Sequence, residues 1–328
     1  MTEKDILGQI ERAAAGPSGR ASRGLTLGIG DDAALFRPHP GREIILTTDW
    51  FLQGTHFLLD KHPADSIGWK CLARAVSDVA AMGGVPRCCL LSLTIPEDRT
   101  GAWLRAFLRG LRRASQRFEC PLAGGDTTKR HEVLISITVV GEVRRGQAIR
   151  RRGAKAGDLL YVSGRLGEAE RGLELLRKSK SKGKRTDPHL KKHLYPEPRL
   201  ALGQWLAEKR MASAMMDLSD GLSSDLPKLC AASGVGACVE AGLVPTSRIV
   251  RGTASQRKKS LHLALHGGDD YELLFTVPRA KASKMLHSFQ GVRLTRVGSI
   301  TSGSDILLKD EDGHLEKFEA RGWDPFRK

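Results

Sequence analysis

Six short stretches set aspartate beside glycine, serine or threonine: Gly30-Asp31-Asp32, Thr47-Thr48-Asp49, Ser77-Asp78, Gly124-Gly125-Asp126-Thr127-Thr128, Asp217-Leu218-Ser219-Asp220-Gly221 and Gly267-Gly268-Asp269-Asp270. Carboxylate and hydroxyl oxygens are the donors a hard cation such as Mg²⁺ prefers, and glycines let backbone amides approach a polyphosphate. Phosphoryl transfer gathers carboxylates from separate segments in this way. Taken singly, each stretch fits a turn or a helix cap as well as a ligand. Their recurrence in one chain points to a metal and phosphate site. At Asp217 to Gly221, where a strand should meet a helix N-terminus, open amides and the positive helix end would also favour phosphate.

Other chemistries find less support. There is no G-x-x-x-x-G-K-[ST] and no H-R-D or D-F-G set, so neither a P-loop nor a protein-kinase core is expected. The six cysteines show no C-x-x-C pair and read as buried free thiols of a reducing compartment. His56 stands in a polar stretch and reads as a surface histidine, while Trp323, in a polar tail, suits either a core edge or stacking on a ring. Lys plus Arg number 53 against 37 Asp plus Glu, a formal +16 that attracts anions, whether nucleic acid, anionic membrane or phosphorylated metabolite. The run from Lys178 to Arg185 lacks apolar periodicity and aromatics and reads as a solvated loop. No stretch approaches the roughly 20 apolar residues that span a bilayer, and a cytoplasmic location is expected.

The elements that must position these residues follow from apolar spacing. A chain of 328 residues suits two domains, drawn here as 1–148 and 149–328 with the charge-rich stretch 144–157 between them. The first is expected to hold a helix over 2–14, a strand at Ile44 to Leu46 with the Thr47-Thr48-Asp49 triplet at its end, and a helix from Pro63 to Gly83 carrying Asp78. A strand over 87–95, a helix over 97–115, a turn at Gly124 to Thr128 and a strand over 132–143 complete it. The second is expected to hold strands at 159–162, 212–216 and 271–277, with helices at 168–177, 198–209, 222–233 and 279–288. Strands and helices mix without a regular βαβ repeat, which favours a two-domain α/β or α+β design.

Read in order, Gly28-Ile-Gly-Asp-Asp-Ala-Ala34, Thr47-Thr-Asp49, Gly54-Thr-His-Phe57, Ser77-Asp-Val-Ala-Ala-Met-Gly83, Gly124-Gly-Asp-Thr-Thr128, Arg152-Gly-Ala-Lys-Ala-Gly-Asp158, Met216-Asp-Leu-Ser-Asp-Gly-Leu222 and Gly268-Asp-Asp-Tyr-Glu-Leu273 resemble the thiamine-monophosphate kinase family. That family belongs to the ATP-binding superfamily of aminoimidazole ribonucleotide synthetase. The resemblance implies an N-terminal ATP- and magnesium-binding domain whose strands build a barrel across a homodimer, and a C-terminal α/β domain closing the active site. It implies ATP and thiamine monophosphate as substrates, Mg²⁺ as the metal, and direct in-line transfer to give thiamine diphosphate.

By position, the resemblance assigns magnesium to Asp32, Thr47, Thr48, Asp49, Asp78, Asp126, Asp217 and Asp220, and the nucleotide to Gly125, Asp126, Arg151 and Ser219. Thiamine monophosphate falls to His56, Asp269 and Trp323, and the catalytic load to Asp126, Asp220 and Arg151. Three features depart from the family pattern: Asp269 replaces the usual glutamate, residues 178–187 look inserted, and Phe118 stands near a common tyrosine. The alternatives are aminoimidazole ribonucleotide synthetase and a non-catalytic homologue that binds nucleic acid. Neither nucleic acid nor a membrane is the expected partner.

Overall fold

The computed structural model describes residues 3–14, 24–179, 187–247 and 253–326, so most of the basic run at 178–187 lies outside the described residues. Two compact units divide the chain. One is built on Met1–Val79 and Gly84–Gly146, the other on Gln147–Leu175 and Arg185–Lys328 together with Ala80–Gly83.

In the first unit, helix α1 (Glu3–Ala14) and a small ribbon, β1 (Leu25–Leu27) with β2 (Leu35–Phe36), precede the main sheet. That sheet takes β3 (Arg42–Leu52), β4 (Val85–Ile95), β5 (Leu122–Lys129) and β6 (Leu134–Arg144) in the order β3-β6-β4-β5, parallel only between β4 and β5. Helices α2 (Ala64–Ala81) and α3 (Ala102–Phe118) meet backbone to backbone. A Cβ on Gly68 would stand 2.0 Å from the Phe107 carbonyl oxygen, and one on Gly110 would stand 1.8 Å from that of Asp65. Glycine is required there because the helices approach closer than side chains allow.

One face of the sheet buries Ile45, Phe51, Leu91, Leu93, Ile135, Ile137 and Val139. Its other face is open and carries Leu46 (71% exposed), Trp50 (58%) and Leu90 (36%). Within the single chain the four strands form an open sheet, with no closed barrel among the described residues. Near the end of β6, in register with Ile44, Glu142 is fully buried, and its carboxylate accepts the His39 backbone N–H at 2.8 Å and Arg87 Nε at 2.9 Å, with His39 Nδ1 also at 2.8 Å.

Two expectations are corrected here. The Thr47-Thr48-Asp49 triplet lies in the middle of β3, because pairing with β6 runs unbroken from Arg42 opposite Arg144 to Leu52 opposite Leu134. β-branched threonines suit that pleated surface. The Gly124 to Thr128 stretch lies inside β5 and forms no turn, since it pairs along β4 from Leu90 to Thr94. Gly125 has φ +151°, and a Cβ on it would lie 1.9 Å from the Leu91 carbonyl oxygen, so the residue serves close approach to β4.

The second unit builds a larger mixed sheet. Its strands are β7 (Leu159–Ser163), β8 (Ala214–Leu218), β9 (Gly236–Glu240), β10 (Glu272–Val277), β11 (Ser288–Phe289), β12 (Val292–Thr301), β13 (Ile306–Lys309) and β14 (Leu315–Lys317). They run β14-β13-β9-β12-β7-β10-β8, with β11 added on β12. Helices α4 (Glu168–Lys178), α5 (Pro188–Leu194), α6 (Leu200–Glu208), α7 (Leu222–Ser233) and α8 (Ala254–His266) accompany it.

Both faces of this sheet are covered. Leu160, Met216 and Leu274 pack with Leu226 and Leu229, while Met215, Phe275 and Tyr161 pack with Leu202 and Leu206. All five residues of β8 are therefore buried, Asp217 included. The expected helix at 279–288 is replaced by a 3₁₀ stretch, Arg279–Lys284, followed by β11. All six cysteines are free thiols, five of them buried. No described helix is long and apolar enough to cross a membrane.

Candidate active site

The middle of β3 sends alternate side chains to opposite faces, and this sorts the first acidic set. Thr47 Oγ1 donates to Asp78 Oδ2 at 2.5 Å, so the Thr47 face looks toward α2, and Asp49, two residues on, shares it. Thr48 takes the open face, where its Oγ1 lies 3.2 Å from Ser136 Oγ and 3.1 Å from Thr138 Oγ1. Asp126 is in register with Ser92, and Ser92 with Ser136, which puts Asp126 on that open face too. Thr47, Asp49 and Asp78 are thus brought together, while the plane of the sheet separates them from Thr48 and Asp126 of the same chain. Asp32 is exposed after Gly30, with its backbone N–H on Asp31 Oδ1 at 2.8 Å. The ring of His56 is held rather than loose, for its Nδ1 accepts the Leu52 backbone N–H at 3.0 Å.

In the second unit the end of β8 is stapled to two other segments by main-chain bonds. The carbonyls of Leu218, Ser219 and Asp220 accept the backbone N–H groups of Tyr271 (2.9 Å), Asp269 (2.8 Å) and Trp323 (2.9 Å) in turn. Asp217, Ser219, Asp220, Asp269 and Trp323 are thereby gathered at one strand end. Asp269 and Tyr271 both adopt left-handed backbone, φ +67° and +50°, a conformation that costs about 1–3 kcal/mol at a non-glycine residue. The Tyr271 hydroxyl donates to Asp269 Oδ1 at 2.7 Å, and His193 Nδ1, almost fully buried, lies 3.8 Å from Asp269 Oδ2. Behind them Glu272 is buried against Arg199, whose Nε donates at 2.6 Å, and Ser163 Oγ donates at 2.6 Å.

Just ahead of α7, the amides of Asp220 and Gly221 are held by a side chain of the helix itself. Asp225, fully buried, accepts the N–H groups of Asp220 at 2.9 Å and Gly221 at 3.1 Å on its Oδ2. Lys228 Nζ donates to Asp225 Oδ1 at 2.9 Å and to Asp220 Oδ2 at 2.5 Å. Burial raises the Asp225 carboxyl above its ordinary range, although Lys228 pulls the other way. Burial works against the Lys228 ammonium as well, but the two carboxylates outweigh it and hold its pKa up.

Arg151 is exposed, and its carbonyl accepts Ser233 Oγ at 2.9 Å. Ser233 ends α7, whereas Asp220 precedes the first turn, so the backbones of Arg151 and Asp220 stand at opposite ends of a helix about 18 Å long. Asp270, next to Asp269, is a helix cap: its carboxylate accepts the N–H groups of Gly167 at 2.6 Å and Ala169 at 3.1 Å, at the start of α4. The residues that sequence reasoning overlooked are Asp225, Lys228, Tyr271 and His193. For the first two a signal existed, since Asp225 and Lys228 are three apart on a helix and so share a face.

Both acidic sets consist of carboxylate and hydroxyl oxygens, a donor chemistry that fits magnesium and does not select softer metals. Comparisons with known proteins bear on the chain as a whole. Residues 30–143 match the family described as AIR synthase related protein, N-terminal domain, and residues 155–310 its C-terminal domain. The chain is 38% identical over 312 residues, 94% of each chain, to the thiamine-monophosphate kinase of Salmonella typhimurium, and 35% identical over 300 residues to that of Aquifex aeolicus.

Among solved structures, the thiamine-monophosphate kinase of Stenotrophomonas maltophilia K279a superposes with a TM-score of 0.82 at 35% identity, covering 96% of this chain and 98% of that one. AaThiL complexed with AMPPCP and TMP superposes at 0.76 with 31% identity, covering 99% of each chain. The hydrogenase maturation protein HypE shares the fold, at 0.77 and 18% identity. With both domains matched and relatives alike over nearly their full length, this chain belongs to the thiamine-monophosphate kinase family of AIR-synthase-related proteins.

Proposed function

We propose that this protein transfers the γ-phosphoryl group of ATP to thiamine monophosphate, giving ADP and thiamine diphosphate. The observation that carries the reading is the strand end of β8, where the carbonyls of Ser219 and Asp220, two and three residues beyond Asp217, accept the main-chain N–H groups of Asp269 and Trp323. Carboxylates suited to metal-bound phosphate and groups suited to a cationic aromatic ring are thus fixed in one frame. The relative complexed with AMPPCP and TMP supports the same pair of substrates.

Magnesium, when bound, neutralises the charge of the phosphates and orients them. Thr47, Asp49 and Asp78 are assigned to it, as are Asp217 and Asp220, while Asp32 and, on the other face of the sheet from Thr47 and Asp49, Thr48 and Asp126 are assigned as further oxygen donors. Ser219 and Arg151 are assigned to the nucleotide. Asp269, its carboxylate fixed by Tyr271, faces the positive thiazolium, and the half-exposed Trp323 indole stacks on a thiamine ring. A phosphate monoester has a second pKa of about 6, so the acceptor oxygen is already ionised near neutral pH and no strong general base is required. The task of the protein is then positioning and electrostatic stabilisation.

The open sheet face with Leu46, Trp50 and Leu90 supports a homodimer, because exposed apolar residues clustered on one sheet face favour association. The cytoplasm is the proposed location, in keeping with six free thiols. Release of ADP, coupled to a spectrophotometric assay with thiamine monophosphate as acceptor and Mg²⁺ present, tests the assignment. Folded protein without turnover would overturn it.

A further inference from the structure

The ammonium of Lys228 occupies the place where a cation is expected at Asp220. It lies 2.5 Å from Asp220 Oδ2 and 2.9 Å from Asp225 Oδ1, while the other oxygen of Asp225 braces the main chain of Asp220 and Gly221. Asp225 is fully buried and cannot turn to solvent, whereas the Lys228 side chain is 40% exposed and the Asp220 side chain 28%. The ammonium therefore has one permanent partner, Asp225, and one exchangeable partner, Asp220. Three residues on two turns of α7 and its lead-in make a closed unit: carboxylate behind, ammonium between, carboxylate in front.

We propose that Lys228 is a positioning residue that holds Asp220 in its aimed conformation before any metal arrives and keeps free divalent ions off it. This inference rests on the assignment of Asp220 to the metal. A divalent ion approaching Asp220 alone meets the ammonium at close range; at about 5 Å in water-like surroundings that repulsion weakens its affinity by roughly tenfold. An ion arriving with the triphosphate brings compensating negative charge, and the ammonium then opposes it far less. Lys228 so couples metal occupancy at Asp220 to the presence of nucleotide, while its bond to Asp225 stays in place.

Mn²⁺ titration of the nucleotide-free protein, followed by electron paramagnetic resonance, reads this directly and needs no turnover. Lys228→Gln should bind Mn²⁺ about tenfold more tightly than the parent protein, and the gain should vanish in the Lys228→Gln, Asp220→Asn double variant. With the non-hydrolysable nucleotide analogue AMPPCP present, the difference between Lys228→Gln and parent should shrink to about twofold, and Lys228→Arg should behave as the parent.

Unchanged Mn²⁺ affinity in folded Lys228→Gln protein would overturn the proposal, as would a gain that survives removal of the Asp220 carboxylate. Should Lys228→Gln fail to fold, because Asp225 is then buried without a counter-charge, Lys228→Gln with Asp225→Asn removes both charges and carries the same comparison. A parent protein that shows the Mn²⁺ effect but no thiamine-monophosphate turnover would fault the kinase assignment and leave this inference standing.

Discussion

Trp323 donates its backbone N–H to the carbonyl oxygen of Asp220 at 2.9 Å, so an aromatic ring assigned to the substrate and a carboxylate assigned to the metal share one main-chain bond. Trp323 is 45% exposed, and that bond is made by its main chain, not by its ring. Trp323→Ala should therefore raise KM for thiamine monophosphate about tenfold with little change in kcat, the loss expected of a stacking and cation–π contact. Trp323→Phe should recover most of it. Steady-state kinetics on the two variants decide the matter, and an equal fall in kcat would mean that the ring acts in the transition state.

Asp126→Asn and Asp220→Asn should each lower turnover at least a hundredfold while leaving circular dichroism and melting unchanged, since Asp126 is exposed and Asp220 only half-buried. Normal rates in both would remove the metal role of these carboxylates.

Glu142 is fully buried, and burial alone would raise its carboxyl; the bonds from His39 and Arg87 outweigh this and hold it below the ordinary carboxylate range. Arg87→Gln leaves that charge with one partner fewer and should cost about 3 kcal/mol in urea unfolding. Because the folded-state value is depressed, the contribution is present above about pH 4.3, the unfolded value, and is lost as the pH falls through the folded one. The gap between Arg87→Gln and parent should accordingly narrow in acid.

His266 Nδ1 lies 2.9 Å from Ser223 Oγ, and burial, aided by His262 and Arg321, pushes its pKa from 6.5 down to about 4. The folded state keeps it neutral where the unfolded chain takes up a proton, so its share of stability is complete above about pH 6.5 and drains away toward pH 4. Melting temperatures of the parent should fall across this interval, and His266→Asn should flatten the fall. Parallel curves would show that His266 does not titrate as its surroundings imply.

Much of the frame was legible because apolar spacing and punctuation agree in it. Pro63 and Gly83-Gly84 bracket α2, and residues 134–144 alternate as a half-buried strand should. Position along a strand was less legible: Thr47 to Asp49 look like a strand end because polar residues usually end strands, yet here they sit mid-strand, where one face receives α2 and the other is open. Gly125 reads as a phosphate turn until the Leu91 carbonyl is seen against it.

Caps that were visible but unread mark the missed helices: Asp187 before Pro188 accepts the His189 and Leu190 N–H groups for α5, and Thr253 with Gln256 forms a capping box for α8. In the candidate site, the aspartates were recognisable from their neighbours. His193 was not, since what marks it is a contact with Asp269, brought near only by folding, and Tyr271 reaches Asp269 through a left-handed backbone that the sequence does not announce.

The main-chain staples at the end of β8 also bear on how such an enzyme can change. Asp269 and Trp323 hang from the carbonyls of Ser219 and Asp220 by their amides, so a different side chain at either position leaves the attachment intact. Evolution can then exchange the side chains assigned to the acceptor one at a time, without loosening the strand that carries the acids. Substrate range becomes a matter of side chains and phosphoryl chemistry a matter of backbone, and the two can drift at separate rates.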